Sequence, residues 1–290
     1  MWGWTSAASK LSTGTPSSES TLRDGAERLR ALTTIAARAA QRDGARPTRS
    51  DEQEISAIMD NLRPAHLALQ TPQPTPASPD GVVTIRTQTI CHNADLDLVI
   101  FIFPAGASIP LHNHPGMTVF SKVLYGTLAM RAYDWETPPS LAELEALTAE
   151  ISRQESPNAS TRSGPPLAPP RPARLRVETV LTPETPTYCL RPHFSNVHAF
   201  EARTACAVLD LLVPPYSDDD GRDCHYFVEG GGPAEGGATG SVMLAPKAPP
   251  DSLVIKGMAY GGLPILLRPA HKRRAEDAPV DVSAGADASA

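Results

Sequence analysis

From residue 82 to residue 257 the chain reads as a series of short apolar runs, each closed by Gly, Pro, Asp or Asn, and this limits its fold more than any other feature. VVTIRTQTI (82–90), LDLVIFIFP (96–104), TVFSKVLYG (118–126), LAMRAYDW (128–135), RLRVETVL (174–181), CAVLDLLVPP (206–215) and SLVIKG (252–257) are rich in β-branched and aromatic residues and short enough to be strands. Thirty prolines and twenty glycines weigh against a long helical bundle. The expected class is mainly β, a barrel or sandwich of short strands.

Other stretches read differently. Residues 1–20 are small and polar and are expected to be disordered. From Thr21 to Gln41, Leu22, Ala26, Leu29, Leu32, Ile35, Ala36 and Ala39 recur at helical spacing, with Thr21 as a possible cap. A second helix is expected from a Ser50 cap, with Asp51 and Glu52 in its first turn, Ile55, Ile58, Met59 and Leu62 on one face, and Pro64 at its end. These N-terminal helices (21–70) lead through a proline-rich linker (71–80) into a β domain (81–268). Two interruptions are expected within it: an insertion at 139–173, with an acidic helix at 141–151, and a Gly/Ala/Pro loop at 230–240. Residues 269–290, which include HKRR (271–274), form an expected disordered tail in which the basic cluster is a solvated or nuclear-import sequence.

The net charge of -6 weighs against nucleic acid as a direct partner. Cys91, Cys189, Cys206 and Cys224 form no CxxC pair and do not read as a disulfide framework; Cys189 and Cys206 are expected in the core. The first ten residues lack the apolar stretch of a secretion signal, and no run approaches a membrane span of about 20 residues. A monomer of the cytoplasm and nucleus, with no membrane partner, is the expectation.

The chemistry concentrates in GASIPLHNHPGMTVFSKVLYG (106–126). His112 and His114 are two residues apart, so on a strand both imidazoles face the same way and make half of a metal site. An isolated HxH is more often a polar strand face, but here Gly106 precedes His112 by six residues and Gly126 follows His114 by twelve. That framing resembles the first metal-binding motif of the cupin superfamily, G(X)5HXH(X)3-4E(X)6G. The glutamate is missing, with Val119 in its place and Thr118 beside it. Three neutral imidazoles would leave open positions and the full charge of a divalent ion, a set suited to non-haem iron, although zinc or copper accept the same ligands. His193, His198 and His225 are the candidates for the third ligand. His198, which starts the strand leading into CAVLDLLVPPYSD, is favoured, although its surroundings match the second cupin motif only loosely.

HNHPGMTVFSKVLYGTLAMRAYDW, then NVH, then VLDLLVPPYSDDDGRDCHYF resemble the plant cysteine oxidases and their animal relative, cysteamine dioxygenase, over roughly residues 50–265. The resemblance implies a cupin-type double-stranded β-helix, a jelly-roll barrel with N-terminal helices, holding Fe(II) on His112, His114 and His198. It implies that Asp210 lies in the active site and Tyr216 near the substrate; the plain alternatives are a carboxylate paired with an arginine and a loop aromatic. It places Cys224 and Tyr226 where a covalent crosslink can form, against the alternative of a half-buried free thiol. The implied reaction inserts both atoms of O2 into a thiol, giving a sulfinic acid. The implied substrate is the N-terminal cysteine of proteins such as hypoxia-response transcription factors, which are then degraded through the N-degron pathway, so that the enzyme senses oxygen. A small aminothiol, cysteamine, is the alternative substrate. A non-catalytic cupin binding protein is the reading from a different class, against which the intact histidine set counts.

Overall fold

The computed structural model describes residues 18–42, 46–70, 83–155, 168–233 and 241–265. The disorder expected for residues 1–20 is contradicted at residues 18–20, which cap and begin the first helix, while residues 1–17 and 269–290, the linker at 71–80 and most of the Gly-rich loop lie outside the described residues.

Among the described residues two helices come first, α1 (Glu19–Ala40) and α2 (Arg49–Asp60). Each starts earlier than its sequence suggested, because the capping side chain lies upstream. The Ser18 hydroxyl accepts the Thr21 amide at 3.2 Å. Thr48, not Ser50, caps α2: its hydroxyl accepts the Asp51 amide at 3.2 Å while the Asp51 carboxylate accepts the Thr48 amide at 2.8 Å. This reciprocal pair satisfies two helix-end donors at once. The buried Asp51 carboxylate also receives Arg38 at 3.0 Å and Arg42, and these guanidinium groups hold it well below the usual carboxylate range. The end of α1 is thereby tied to the start of α2. Pro64 begins a short 3-10 turn (Pro64–Leu67) after α2 has already ended.

Among the described residues twelve strands follow: β1 (Thr84–His92), β2 (Asp97–Phe103), β3 (Ser108–Asn113), β4 (Thr118–Tyr125), β5 (Leu128–Trp135), β6 (Arg171–Leu181), β7 (Tyr188–Leu190), β8 (Val197–Ala202), β9 (Cys206–Val213), β10 (Tyr226–Pro233), β11 (Ser241–Lys247) and β12 (Val254–Gly257). One sheet runs β12-β1-β2-β9-β4-β7, and the other runs β10-β11-β6-β5-β8-β3 and closes through β10 against β3. Every pairing is antiparallel except β12 with β1. This is the double-stranded β-helix that the sequence led us to expect.

The first sheet is covered on both faces, which explains why β9 is apolar almost throughout. Ala207, Leu209, Leu211 and Val213 pack against the apolar faces of α1 and α2 (Leu29, Leu32, Ile55, Met59). The alternate residues Cys206, Val208, Asp210 and Leu212 face the barrel interior, where Cys206 and Val208 join Phe103, Val123, Leu128 and Phe200. A single strand was expected from His198 through Val213. The chain instead leaves the second sheet after β8 and enters the first as β9, because Arg203 turns back to donate its amide to the Thr127 carbonyl at 2.9 Å. Residues 230–233 of the expected loop belong to β10. The helix of the insertion, α3 (Leu141–Glu155), outlasts its expected end at Ile151 and buries Leu144 and Leu147.

The two framing glycines differ in what they tolerate. Both have positive φ, +81° at Gly106 and +79° at Gly126. A Cβ on Gly106 would meet nothing within 4 Å, whereas one on Gly126 would lie 2.2 Å from the Ala205 carbonyl oxygen. Gly106→Ala is therefore expected to cost only the backbone strain of a left-handed residue, about 1–2 kcal/mol. Gly126→Ala should cost several times as much, because the β8–β9 turn must also move. Urea melts of the two variants measure the difference, and equal costs would contradict this packing.

Candidate metal centre

The antiparallel pairing of β3 with β8 sets His112 directly opposite His198. His114 lies just past the end of β3, and its backbone is gripped by a side chain. Asn196 accepts the His114 amide at 3.2 Å and donates to the His114 carbonyl at 2.7 Å. Ser195, whose φ is +55°, precedes it, and the Ser195 amide donates to the Asp134 carboxylate. This loop thereby presents both Asn196 and His198.

The three imidazoles converge. His198 Nε2 lies 3.0 Å from His114 Nε2 and 3.2 Å from His112 Nε2, and all three rings are buried. Burial pushes His112 down to about 4 and His114 and His198 well below their ordinary value, so all three are neutral at pH 7. His112 Nδ1 sits 2.9 Å from the Pro110 carbonyl oxygen, a contact that requires Nδ1–H and leaves Nε2 as a bare lone pair. His114 Nδ1 lies 2.8 Å from the Tyr216 oxygen, and the Tyr216 hydroxyl is 2.8 Å from the Asn113 carbonyl. The consistent assignment is that His114 Nδ1–H donates to Tyr216 and Tyr216 donates to Asn113. Unshared pairs turned towards one another at this spacing repel unless a cation lies among them. Nitrogens about 2.1 Å from a shared ion stand at such separations, so these residues fit a metal.

The other expected site residues gather around this centre. Asp210 lies on the inward face of β9, buried, with Ser121 of β4 directly opposite. Burial raises its carboxyl to about 7, with Ser121 pulling it down and Asp97 pushing it up. One carboxylate oxygen has no hydrogen-bond partner, and among the described residues no arginine pairs with it. Tyr216 stacks on His114, ring centroids 5.2 Å apart, so it orients a candidate ligand directly. The Cys224 thiol interacts with both the Tyr216 and Tyr226 hydroxyls, and burial raises it to about 11. Tyr226 in turn faces His112 across the β10–β3 pairing. Cys206 is buried and Cys189 only partly so. His225 is turned away from the other histidines and bonds to α3.

Asn113 and Asn196 escaped the sequence reading. Asn113 sits between the two motif histidines, with its own side chain on the opposite face of the strand. A polar residue that must be buried at that position was a usable signal.

The PCO_ADO family model matches residues 58–265. Plant cysteine oxidase 2 of Arabidopsis thaliana is 30% identical over 236 residues, covering 76% of each chain. Plant cysteine oxidase 1 of the same plant is 34% identical over 192 residues, 64% of this chain and 57% of that protein. Human 2-aminoethanethiol dioxygenase is 34% identical over 184 residues, 60% of this chain and 63% of that protein. The chain thus spans less than two thirds of the length of two of these relatives. Among solved structures, KdgF from Halomonas sp. is similar with 16% identity and a TM-score of 0.28, covering 47% of this chain and 82% of that one. At that score the fold rests on the strand order and not on the likeness. By the extent of the family match and the shared length with plant cysteine oxidase 2, the chain belongs to the PCO_ADO family, that of the plant cysteine oxidases and 2-aminoethanethiol dioxygenases.

Proposed function

We propose that this protein is an iron-dependent thiol dioxygenase that converts the N-terminal cysteine of target proteins to a sulfinic acid, R–SH + O2 → R–SO2H, and so reports oxygen to the N-degron pathway. The observation that carries the reading is the set of three buried, neutral imidazoles converging on one point, in a barrel whose interior also holds a buried carboxyl with no cation partner among the described residues. His112, His114 and His198 would hold Fe(II), which supplies the redox chemistry joining a thiol to O2 and favours the thiolate form of the substrate.

The chain's own residues do the rest. The Pro110 carbonyl and the Tyr216 hydroxyl fix the ring tautomers of His112 and His114, keeping Nε2 of each free to bind. Phe200 lies against His198, ring centroids 4.4 Å apart, and forms an apolar wall that excludes water. Asp210 would receive the ammonium that sits beside the thiol in an N-terminal cysteine. A charged amine there gives the carboxylate the partner that the protein withholds.

Anaerobically purified, iron-loaded protein is expected to add two oxygen atoms to a Cys-initiated peptide on admission of air, as read by mass spectrometry. An N-acetylated peptide, lacking the ammonium, should react far more slowly. Iron-loaded protein that leaves the free peptide unchanged would sink the reading. Faster turnover of cysteamine than of any Cys-initiated peptide would transfer it to the small aminothiol.

A further inference from the structure

α3 lies between β5 and β6 in sequence, yet it is bound to the segment just before β10, the strand that closes the barrel against β3. The Thr148 hydroxyl donates to the Asp223 carboxylate at 3.0 Å and lies 2.9 Å from His225 Nε2, whose N–H it accepts. The Leu144 carbonyl approaches the same ring. His225 is 1% exposed, so its ring is enclosed by these contacts. Its backbone continues the chain of bonds: the His225 amide donates to the Asn113 side-chain oxygen at 2.8 Å, and the Asn113 amide donates to the His225 carbonyl at 3.1 Å. Asn113 is the residue between His112 and His114.

This linkage falls where the barrel is weakest. β10 meets β3 through one register pair, Tyr226 with His112, whereas β5 meets β6 through eight. A ladder of one pair specifies register poorly, and strand position must then come from side chains. The bonds between Asn113 and His225 supply it, and His225 is in turn held by Thr148 of α3. α3 cannot shift without moving His225, nor His225 without moving Asn113.

We propose that α3 sets the position of the metal-binding strand through Thr148 and His225, making these two positioning residues of the centre; this rests on the metal reading above. Neither belongs to the group of candidate ligands. Their effect is on where His112 and His114 stand.

The test uses the full chain with Thr148→Val, which keeps the shape and removes the hydroxyl, with His225→Leu, and with His225→Gln, whose amide can still donate to Thr148. Amide hydrogen exchange of the metal-free protein is followed at residues 110–116, with α1 as reference. Co(II) affinity and its visible spectrum are measured by competition with a chelator. Thr148→Val is expected to speed exchange at 112–114 about tenfold while α1 is unchanged, and to weaken Co(II) binding about tenfold with a shifted spectrum, as for loss of an outer-sphere partner. His225→Leu should do more, and His225→Gln should recover part of the loss. Wild-type exchange at 112–114 together with wild-type Co(II) affinity in Thr148→Val overturns the proposal, as does faster exchange spread equally over α1. If His225→Leu does not fold, Thr148→Val decides alone. A wild-type protein that binds no Co(II) defeats the metal reading instead, and the exchange measurement still decides whether α3 holds the strand.

Discussion

Asp210→Asn is expected to give a metal-free protein that is more stable than the wild type and an enzyme of much lower activity. Burial raises the folded-state pKa of Asp210 from an ordinary 3.8 to about 7, so the folded protein keeps this proton where the unfolded chain has lost it. Stability from this group is complete below about pH 4 and is lost as pH rises through 7. At pH 8 the ionised, unpartnered carboxylate then costs up to about 4 kcal/mol. Asparagine removes that cost at similar volume. The gain over the wild type should accordingly be small at pH 4 and largest at pH 8 in urea melts of metal-free protein. A gain that does not change with pH would mean that Asp210 is ionised in the fold and paired. The same substitution removes the group offered to the substrate ammonium, and kcat/KM for a Cys-initiated peptide should fall about 10- to 100-fold.

His114→Ala should have the larger effect on activity. It removes one of three ligands and leaves the Tyr216 hydroxyl without its ring partner. Co-purified iron and turnover are expected to fall more than about 100-fold, since even outer-sphere losses cost 10- to 100-fold. The histidines also predict how the metal-free protein responds to acid. Burial lowers the folded-state pKa of all three, so their contribution is present above 6.5 and is lost as pH falls, each by up to about 1.4 kcal/mol per pH unit. The metal-free wild type should therefore unfold below pH 6.5 more steeply than His114→Ala, as followed by circular dichroism. Parallel acid transitions would show that the rings are not held neutral by burial.

Much of this centre could be read in the chain. The two-residue step from His112 to His114 and the spacing of Gly106 and Gly126 depend only on local strand and turn geometry, which sequence carries directly. His198 needed the resemblance as well, because its place opposite His112 is set by β3–β8 pairing across 86 residues. The break between β8 and β9 was hidden because the residues joining them are not strong breakers, and it is the bond from Arg203 to Thr127 that turns the chain. The caps were misplaced by two or three residues because each candidate hydroxyl has a neighbour of the same kind. The docking of α3 was illegible for another reason. Its sequence shows an acidic helix between proline-rich stretches, and nothing local tells that Thr148 will find a buried histidine 77 residues downstream.

The tight turn at Gly126 has a consequence for how reactants arrive. Gly126 lies against Ala205 and Cys206, and Phe103, Val123, Leu128 and Phe200 fill the barrel between that turn and the histidines. The end of the barrel at Gly126 is therefore stoppered, and in the proposed reaction thiol and O2 would both have to enter from the histidine end. A long peptide standing there would narrow the way for O2, whereas a short thiol would not. For the proposed reaction, the oxygen concentration needed for half-maximal rate should then rise with the length of the substrate, so that the response to oxygen would depend in part on what is being modified.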